Sequence, residues 1–454
     1  MIHESLDSLK NAASIDDLAY TAVFSPNAET KAEARKQIHL RARKAGAVSS
    51  SIYPLYMAIG RGEVRPFTVP AFNIRALTYD SARALFRAAM RHNVGAFIFE
   101  IARSEIGYTD QRPAEYAACV LAAALREGFQ GPVFIQGDHF QASAKKWTTE
   151  EGKAGEMKAL ESLIDEAIAA EFYNIDIDSS TLVDLKYETR DEQQRANYEG
   201  TAHLTKYIRA RQPKGIEISV GGEIGEVGKY NTQPDEVRAY MDGLNRLLGG
   251  VTGISKISVQ TGTSHGGVPL ADGSIAQAKI DFDVLREVTE ICRGEYHIAG
   301  SVQHGASTLP ESVFNRFPES NAVEIHLATG FQNMILDAPT LPAAMKEEIR
   351  QFCFDHCADE RKEGQTDEQF VYTTRKKALG PFKQRMWTMA DEAKQPIVRD
   401  LEAKFEFLME KLAVFDTKEI VAKYVPTSPS DLPEYAAASE ELTAAATVDP
   451  NEGE

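Results

Sequence analysis

The feature that most constrains this chain is a regular alternation of short apolar runs and helical stretches. Eight runs rich in β-branched or aromatic residues span residues 67–74, 95–101, 132–139, 172–178, 215–223, 256–262, 296–303 and 322–327. Between them, segments such as 79–92 and 156–171 carry apolar residues at helical spacing. Eight β–α repeats predict an α/β protein, a (β/α)8 TIM barrel with helical N- and C-terminal extensions. The alternative is a doubly wound open sheet, but no G-x-G-x-x-G follows the first strand.

The segments on either side of the repeats differ from them in composition. Residues 1–60 predict a helical N-terminal extension, residues 61–340 the barrel, and residues 341–425 a helical C-terminal extension. Residues 426–454 hold seven acidic residues, no basic ones and four prolines, which is typical of a disordered acidic tail. We expect the helical extensions to pack on the barrel or to form contacts in a homo-oligomer.

The charge balance restricts the kinds of partner. The 50 Lys and Arg residues against 67 Asp and Glu residues give a formal net charge of −17, which disfavours nucleic-acid binding because neutralising phosphates needs clusters of cations. The apolar runs are far shorter than the ~20 residues of a membrane helix, and the first ten residues lack the apolar core of a signal peptide. We therefore expect a cytoplasmic protein that does not bind membranes.

The cysteines predict no disulfide framework and no metal site. In a chain without a secretion signal, Cys119, Cys292, Cys353 and Cys357 are expected to be reduced thiols. Cys353 and Cys357 flank His356, but their spacing places both thiols on one face of a helix, and no second pair of ligands follows. We interpret them as structural residues.

Polar residues collect where the predicted strands end, which is where barrel enzymes place their catalytic groups. Three of the ten histidines, His139, His265 and His304, lie at such strand ends, and Asp178 and Glu223 end two further strands. Imidazoles that converge beside carboxylates are typical ligands of a divalent metal, and three nitrogens with one open position suit a catalytic zinc.

Small residues follow two of these histidines. The segments 265–267 (His-Gly-Gly) and 304–307 (His-Gly-Ala-Ser) would let backbone N–H groups approach an anion closely. Barrel enzymes often bind phosphate at the loops after strands seven and eight. A tight turn with nothing bound remains the alternative for each segment.

Taken in order, the motifs resemble the class II, metal-dependent ketose-bisphosphate aldolases. The resemblance covers residues 69 to 329, and a weaker match follows in Arg375-Lys376-Lys377-Ala378-Leu379-Gly380-Pro381. Its motifs are Pro70-Ala71-Phe72-Asn73, Asp138-His139, Asp178-Ser179-Ser180, Glu223-Ile224-Gly225, Thr263-Ser264-His265-Gly266, His304-Gly305-Ala306-Ser307 and Glu324-Ile325-His326-Leu327-Ala328-Thr329.

This resemblance implies roles for individual residues. His139, His265 and His304 would bind one catalytic zinc, with Asp178 and Glu223 as alternative ligands or as ligands of a second divalent or monovalent cation. Asp138 would be the general acid/base. The contacts to dihydroxyacetone phosphate would fall on Gly266, Gly305, Ser307 and Thr329.

The chain departs from the family pattern at two places. Where the family commonly has Lys-x-Asn-Ile-x-Thr on strand eight, this chain has Glu324, His326 and Thr329. His326 replaces an Asn that contacts substrate, and we expect His326 to contact substrate in its place. The loop after strand five lacks the usual acidic pair, and Glu226 is its candidate substitute for handling the enediol proton. Strand three and Phe99-Glu100 also resemble the accessory subunit of tagatose-bisphosphate aldolase.

The sequence therefore predicts a class II aldolase. It would reversibly cleave a small phosphorylated ketose, such as fructose or tagatose 1,6-bisphosphate, to dihydroxyacetone phosphate and an aldehyde. Two alternatives stay open: a non-catalytic barrel subunit that supports a tagatose-bisphosphate aldolase, and a metal-dependent sugar-phosphate epimerase or isomerase. Three retained histidines and Asp138 argue against the non-catalytic subunit, which needs none of them.

Overall fold

The eight predicted strands form a closed parallel barrel in the computed structural model, which describes residues 14–225, 230–262, 280–307 and 309–427. Each barrel strand pairs with the next along the chain, and the last pairs with the first. The (β/α)8 prediction is confirmed. The barrel strands are β2 (Val69–Asn73), β3 (Ile98–Ala102), β4 (Gly131–Gln141), β5 (Asn174–Asp178), β6 (Ser219–Glu223), β7 (Lys256–Ser258), β8 (Ser301–Gln303) and β9 (Glu324–Leu327).

Helices lie between the strands and in both flanking segments. Before the barrel come α1 (Ile15–Phe24), α2 (Ala28–Ala45) and α3 (Tyr53–Gly60). The barrel helices are α4 (Thr78–Arg91), α5 (Arg103–Tyr108), α6 (Pro113–Glu127), α7 (Glu150–Ala169), α8 (Arg190–Arg211), α9 (Pro234–Leu248), α10 (Phe282–Glu295), α11 (Arg316–Glu319) and α12 (Thr329–Leu336). After it come α13 (Ala343–His356), α14 (Asp367–Thr374), α15 (Leu379–Trp387), α16 (Asp391–Lys411) and α17 (Lys418–Tyr424). None of the helices in the described ranges has both the length and the apolar character that a membrane span requires.

The segment before the barrel contains a strand that the sequence pattern did not predict. This strand, β1 (Ala47–Ser49), pairs in parallel with the first residues of β4. The Asn174 side chain joins β1 to the barrel, because its amide donates to the carbonyls of Ser50, at 3.2 Å, and Ile135, at 3.0 Å. Helix α3 follows β1, and the buried Tyr56 hydroxyl on α3 donates to Glu324 at the start of β9.

The segment after the barrel packs against its first helix. Helix α16 lies along α4, where Arg91 forms ion pairs with Glu402 and Glu406. On the apolar side of α16, the Phe405 ring centroid lies 5.2 Å from that of Phe72 and 5.0 Å from that of Phe331. The cysteines Cys353 and Cys357 are buried in a small apolar cluster with Phe370, and neither belongs to a group of described residues that could hold a metal.

The barrel interior is unusually polar, whereas barrel interiors are generally filled by Val, Ile and Leu. The buried Lys256 ammonium lies 2.9 Å from the Asp176 carboxylate and 2.8 Å from the side-chain amide oxygen of Gln136, and it also pairs with Glu324. Gln136 in turn donates to Glu324, at 3.0 Å, and to Glu100, at 3.1 Å. Burial tends to lower the pKa of Lys256, but the carboxylates of Asp176 and Glu324 raise it above its usual value. Lys256 is therefore the cation that holds these carboxylates together.

We predict that Lys256→Met destabilises the fold. Methionine keeps most of the side-chain length but leaves Asp176 and Glu324 without their ammonium partner. Breaking a buried ion pair in this way costs about 3–5 kcal/mol, which urea denaturation followed by circular dichroism will measure. The exposed Lys44 supplies the control Lys44→Met, with an expected change within about 0.5 kcal/mol. Equal midpoints for the two variants would contradict the prediction.

Candidate metal centre

A β-bulge in β4 positions the Asp138–His139 pair. Between Gly137 and Phe140, three steps along β4 match two along β5, and His139 has a left-handed φ of 40°. A Cβ added to Gly137 would lie 2.5 Å from the Phe140 ring, so glycine is needed at this close approach. Strict strand alternation predicts that neighbouring side chains point to opposite faces. The bulge breaks that alternation, and both Asp138 and His139 contact side chains at the strand ends.

The two ring nitrogens of His139 face different partners. Its Nε2 lies 2.7 Å from Nδ1 of His304, at the end of β8. Its Nδ1 lies 3.2 Å from a carboxylate oxygen of Asp178 and 3.2 Å from one of Glu223. His304 is held in turn by Ser258, whose hydroxyl lies 2.9 Å from its Nε2. The structure thus brings together four of the five residues predicted as metal ligands.

The donor set fits a metal between His139 and His304. Asp138, His139 and His304 form one group of potential ligand atoms within 4.8 Å of one another. A metal bound at Nε2 of His139 leaves Nδ1 to donate to Asp178, which is the usual outer partner of a metal-bound imidazole. A second such group comprises His139, Asp178 and Glu223, and it would use Nδ1 of His139 instead. His265, Gly266 and Glu226 lie outside the described residues.

The electrostatics of this cluster favour positive charge. Burial alone would lower the pKa of His139, but Asp138, Glu223 and a hydrogen bond to Asp178 raise it well above its usual value. Burial and the charge of Asp178 raise the pKa of Glu223 to about 7. Burial opposes ionisation of Asp178 as well, yet hydrogen bonds from His139, Ser180 and Gln141 lower its pKa. A cation at this place would meet a strongly negative potential.

His326 adjoins the cluster from β9. Its ring stacks on that of His304, with centroids 4.0 Å apart and an interplanar angle of 20°. Its Nδ1 lies 2.9 Å from Glu100 and 3.2 Å from Asp138, and its Nε2 lies 2.7 Å from Glu324. Only 4% of the His326 surface is exposed. His326 was predicted to contact substrate, but in the structure carboxylates of the chain itself surround its ring.

Four interior residues escaped the sequence-based site prediction: Glu100, Asp176, Lys256 and Glu324. Each lies within or at the edge of an apolar run, where a charged side chain weakens the strand pattern. The available signal was that four charged residues occur in strands buried on both faces, where unpaired charges are rare. Strand patterning alone does not show that they converge.

Three of the four predicted contacts to dihydroxyacetone phosphate lie just after the last two strands. Gly305 has a left-handed φ of 66°, and two residues later the Ser307 hydroxyl accepts a hydrogen bond from the Gly330 N–H at 3.1 Å. Gly330 and Thr329 begin α12, whose N-terminal N–H groups and dipole favour an anion. Gly305, Ser307 and Thr329 therefore share one end of the barrel.

A parallel (β/α)8 barrel with histidines and carboxylates converging at its strand ends is the arrangement in which barrel enzymes place their active sites. The family described as fructose-bisphosphate aldolase class II matches residues 61–407. The chain belongs to this family, and the resemblance deduced from its motifs is confirmed. No curated protein matches the sequence.

Two solved structures with TM-scores above 0.5 share the fold at low identity. A probable tagatose 6 phosphate kinase from Sinorhizobium meliloti 1021 is 15% identical, with 84% of this chain and 97% of that chain covered and a TM-score of 0.51. The fructuronate-tagaturonate epimerase of Cohnella laeviribosi is 12% identical, with 90% of each chain covered and a TM-score of 0.51. The fructose-bisphosphate aldolase of Campylobacter jejuni is 18% identical, with 82% of this chain and 96% of that chain covered and a TM-score of 0.46.

We predict that Gly137→Ala damages the metal centre. The added methyl group would force Phe140 or the bulge to move, at a cost of about 1–3 kcal/mol in stability, and would displace His139. Thermal denaturation and bound metal, measured by elemental analysis, will report the two effects. Gly294 lies in α10 with no atom within 4 Å of an added Cβ, so Gly294→Ala is the matched control. Full metal content in Gly137→Ala would refute this role of the bulge.

Proposed function

We propose that the protein is a metal-dependent aldolase that cleaves a phosphorylated ketose to dihydroxyacetone phosphate and an aldehyde. The observation that carries the proposal is the convergence of His139 and His304 beside Asp138. Their ring nitrogens lie 2.7 Å apart, and Asp138 belongs to the same group of potential ligands. Family membership supports a carbon–carbon lyase, whereas the identity of the ketose belongs to the proposal alone.

Zinc is the metal that we propose, held by His139 and His304 together with His265. Neutral imidazoles suit zinc, and a site with three protein ligands leaves one position open. When bound, the metal would supply Lewis acidity for the negative charge that develops on the substrate carbonyl oxygen. Asp178 would keep the His139 ring in place by accepting its Nδ1 proton.

Asp138 is the proposed general base. Burial would raise its pKa, but positive charge on His139 and His326, with a smaller contribution from His304, holds it well below its usual value, and a cation bound by His139 and His304 would act in the same direction. Asp138 is therefore a carboxylate that can accept the proton of the C4 hydroxyl as the C3–C4 bond breaks. The same group would return that proton in the condensation direction.

The substrate phosphate would bind where Gly305 and Ser307 meet the N-terminus of α12. The left-handed conformation at Gly305 allows close approach of the backbone to an anion. Thr329 lies at the first position of the helix, where N–H groups are not used by the helix itself. These features support a phosphorylated substrate over a neutral one.

The interior lysine argues against a Schiff-base mechanism at this site. A nucleophilic lysine must be neutral, and enzymes obtain this by lowering its pKa. Lys256 has the opposite environment, since Asp176 and Glu324 raise its pKa. This buried lysine therefore acts as a structural cation.

A single experiment tests the proposal. The protein is purified without chelator, its metal is determined by elemental analysis, and triose-phosphate release is assayed on a panel of ketose phosphates with and without EDTA. We expect bound zinc and cleavage that EDTA abolishes, and we expect His304→Ala to lose both metal and activity. The surface residue His203, 52% exposed at its side chain, supplies the control His203→Ala, which should keep both.

Other outcomes of this assay would favour the alternatives. Bound metal with rearranged sugar but no triose phosphate would replace the aldolase by an epimerase or isomerase. Neither metal nor turnover of any ketose phosphate would favour a non-catalytic subunit. The homo-oligomeric state and the cytoplasmic location stay predictions from the sequence.

The Asp138 assignment gives a separate prediction. Asp138→Asn should lower kcat about 10²–10⁴-fold, the usual contribution of a general base, while the histidines keep their zinc. Steady-state kinetics and metal analysis of the same preparation will measure both quantities. Asp283, with 83% of its side chain exposed, supplies Asp283→Asn as the control of equal chemistry. A kcat within threefold of the unaltered enzyme would remove Asp138 from the mechanism.

A further inference from the structure

Three buried side chains from three different strands meet beside the proposed zinc site. Glu100 on β3, Asp138 on β4 and His326 on β9 each expose 6% of their side chain or less. One ligand atom from each lies within 4.8 Å of the other two. They are not the residues, Asp178 and Glu223, from which the sequence predicts a second cation.

The contacts of His326 leave one nitrogen facing two carboxylates. Its Nε2 lies 2.7 Å from Glu324 and is well placed to donate a hydrogen bond there. Its Nδ1 lies 2.9 Å from Glu100 and 3.2 Å from Asp138, yet neither contact has hydrogen-bond geometry. Within the described residues, Nδ1 of His326, Oε1 of Glu100 and Oδ1 of Asp138 have no hydrogen-bond partner. Buried polar atoms are rarely left in that state unless a ligand completes them.

The balance of charged side chains in the barrel interior also supports a bound cation. Four buried carboxylates, Glu100, Asp138, Asp176 and Glu324, share the interior with the single ammonium of Lys256. Carboxyl groups therefore outnumber the cationic side chains within this set, even with His326 protonated. A divalent cation among them would stabilise their ionised forms.

We propose that Glu100, Asp138 and His326 form a second divalent-cation site that adjoins the His139–His304 centre. Ligand atoms on neighbouring positions of a metal with bonds of about 2.1 Å lie about 3 Å apart, which matches the two distances at Nδ1. Glu324 accepts the Nε2 proton, as outer partners of metal-bound imidazoles do. Mixed carboxylate and imidazole donors suit Mn²⁺ or Zn²⁺.

The second site would cooperate with the first through Asp138. This residue belongs to both ligand groups, and its Oδ1 is the atom that faces His326. A cation there would occupy Oδ1 and leave the other oxygen for the substrate proton. Two adjacent cations can stabilise charge at both ends of a reacting substrate.

Metal counting without substrate tests this site independently of the aldolase proposal. Protein stripped with a chelator is titrated with Mn²⁺, and free Mn²⁺ is followed by electron paramagnetic resonance. We expect two equivalents for the unaltered protein. In Glu100→Gln and His326→Asn, the second equivalent should bind at least about 100-fold more weakly, while the first remains.

Control variants locate the second equivalent. His203→Asn alters an exposed histidine paired with Glu161 and should keep two equivalents. Glu223→Gln should keep two as well, since Glu223 lies on the other side of His139. One equivalent in the unaltered protein would overturn the inference, and so would two tight equivalents in either Glu100→Gln or His326→Asn. Loss of the second equivalent in Glu223→Gln would overturn it too.

A second measurement does not depend on the folding of any variant. Crystals of the unaltered protein soaked in Mn²⁺ should give an anomalous peak bounded by Glu100, Asp138 and His326. A peak bounded instead by Asp178 and Glu223, or no second peak, would overturn the assignment. A protein that binds two cations without cleaving any ketose would keep this inference and refute the proposed aldolase.

Discussion

The ion pairs of Lys256 are the constraint on which the centre of the molecule depends. A barrel interior excludes water, so each charge brought inside must find an opposite charge or a hydrogen bond. Lys256 on β7 meets this requirement for Asp176 on β5 and Glu324 on β9. Because these strands are not neighbours in the sheet, the ion pairs of Lys256 connect strands across the barrel interior. They add to the hydrogen bonds between neighbouring strands.

This buried layer is connected to the candidate metal centre by direct contacts. Glu324 holds one nitrogen of His326, the His326 ring stacks on His304, and His304 faces His139. From the other direction, Tyr56 on α3 donates to the same Glu324. The segment before the barrel therefore reaches the site through two side chains. The contact of Tyr56 with Glu324 is part of what positions His326, although the segment contributes no predicted ligand.

The sequence predicted the periodic part of this structure and missed the part that breaks periodicity. All eight barrel strands were located, because each is an apolar run bounded by small or polar residues, and the histidines at their ends were expected to converge. The bulge at Gly137 was missed, because alternation is the rule from which side-chain directions are read. β1 was missed because Ala47–Ser49 is too short to show any period. The convergence of Glu100 with His326 depends on strand register, which no local pattern encodes.

The departure from the family pattern on the last strand has a physical explanation in these contacts. The usual Lys-x-Asn motif would place a cation at the position of Glu324 and a neutral amide at that of His326. Here the first position is a carboxylate, and the compensating cation comes from Lys256 on a different strand. A carboxylate at this position can accept a proton from an imidazole two residues later, which a lysine cannot do. The two substitutions therefore depend on each other. Glu324 accepts a hydrogen bond from the buried His326, and Lys256 supplies the positive charge that pairs with Glu324. Replacing Lys256 or Glu324 alone would leave its buried partner without the opposite charge that it has here.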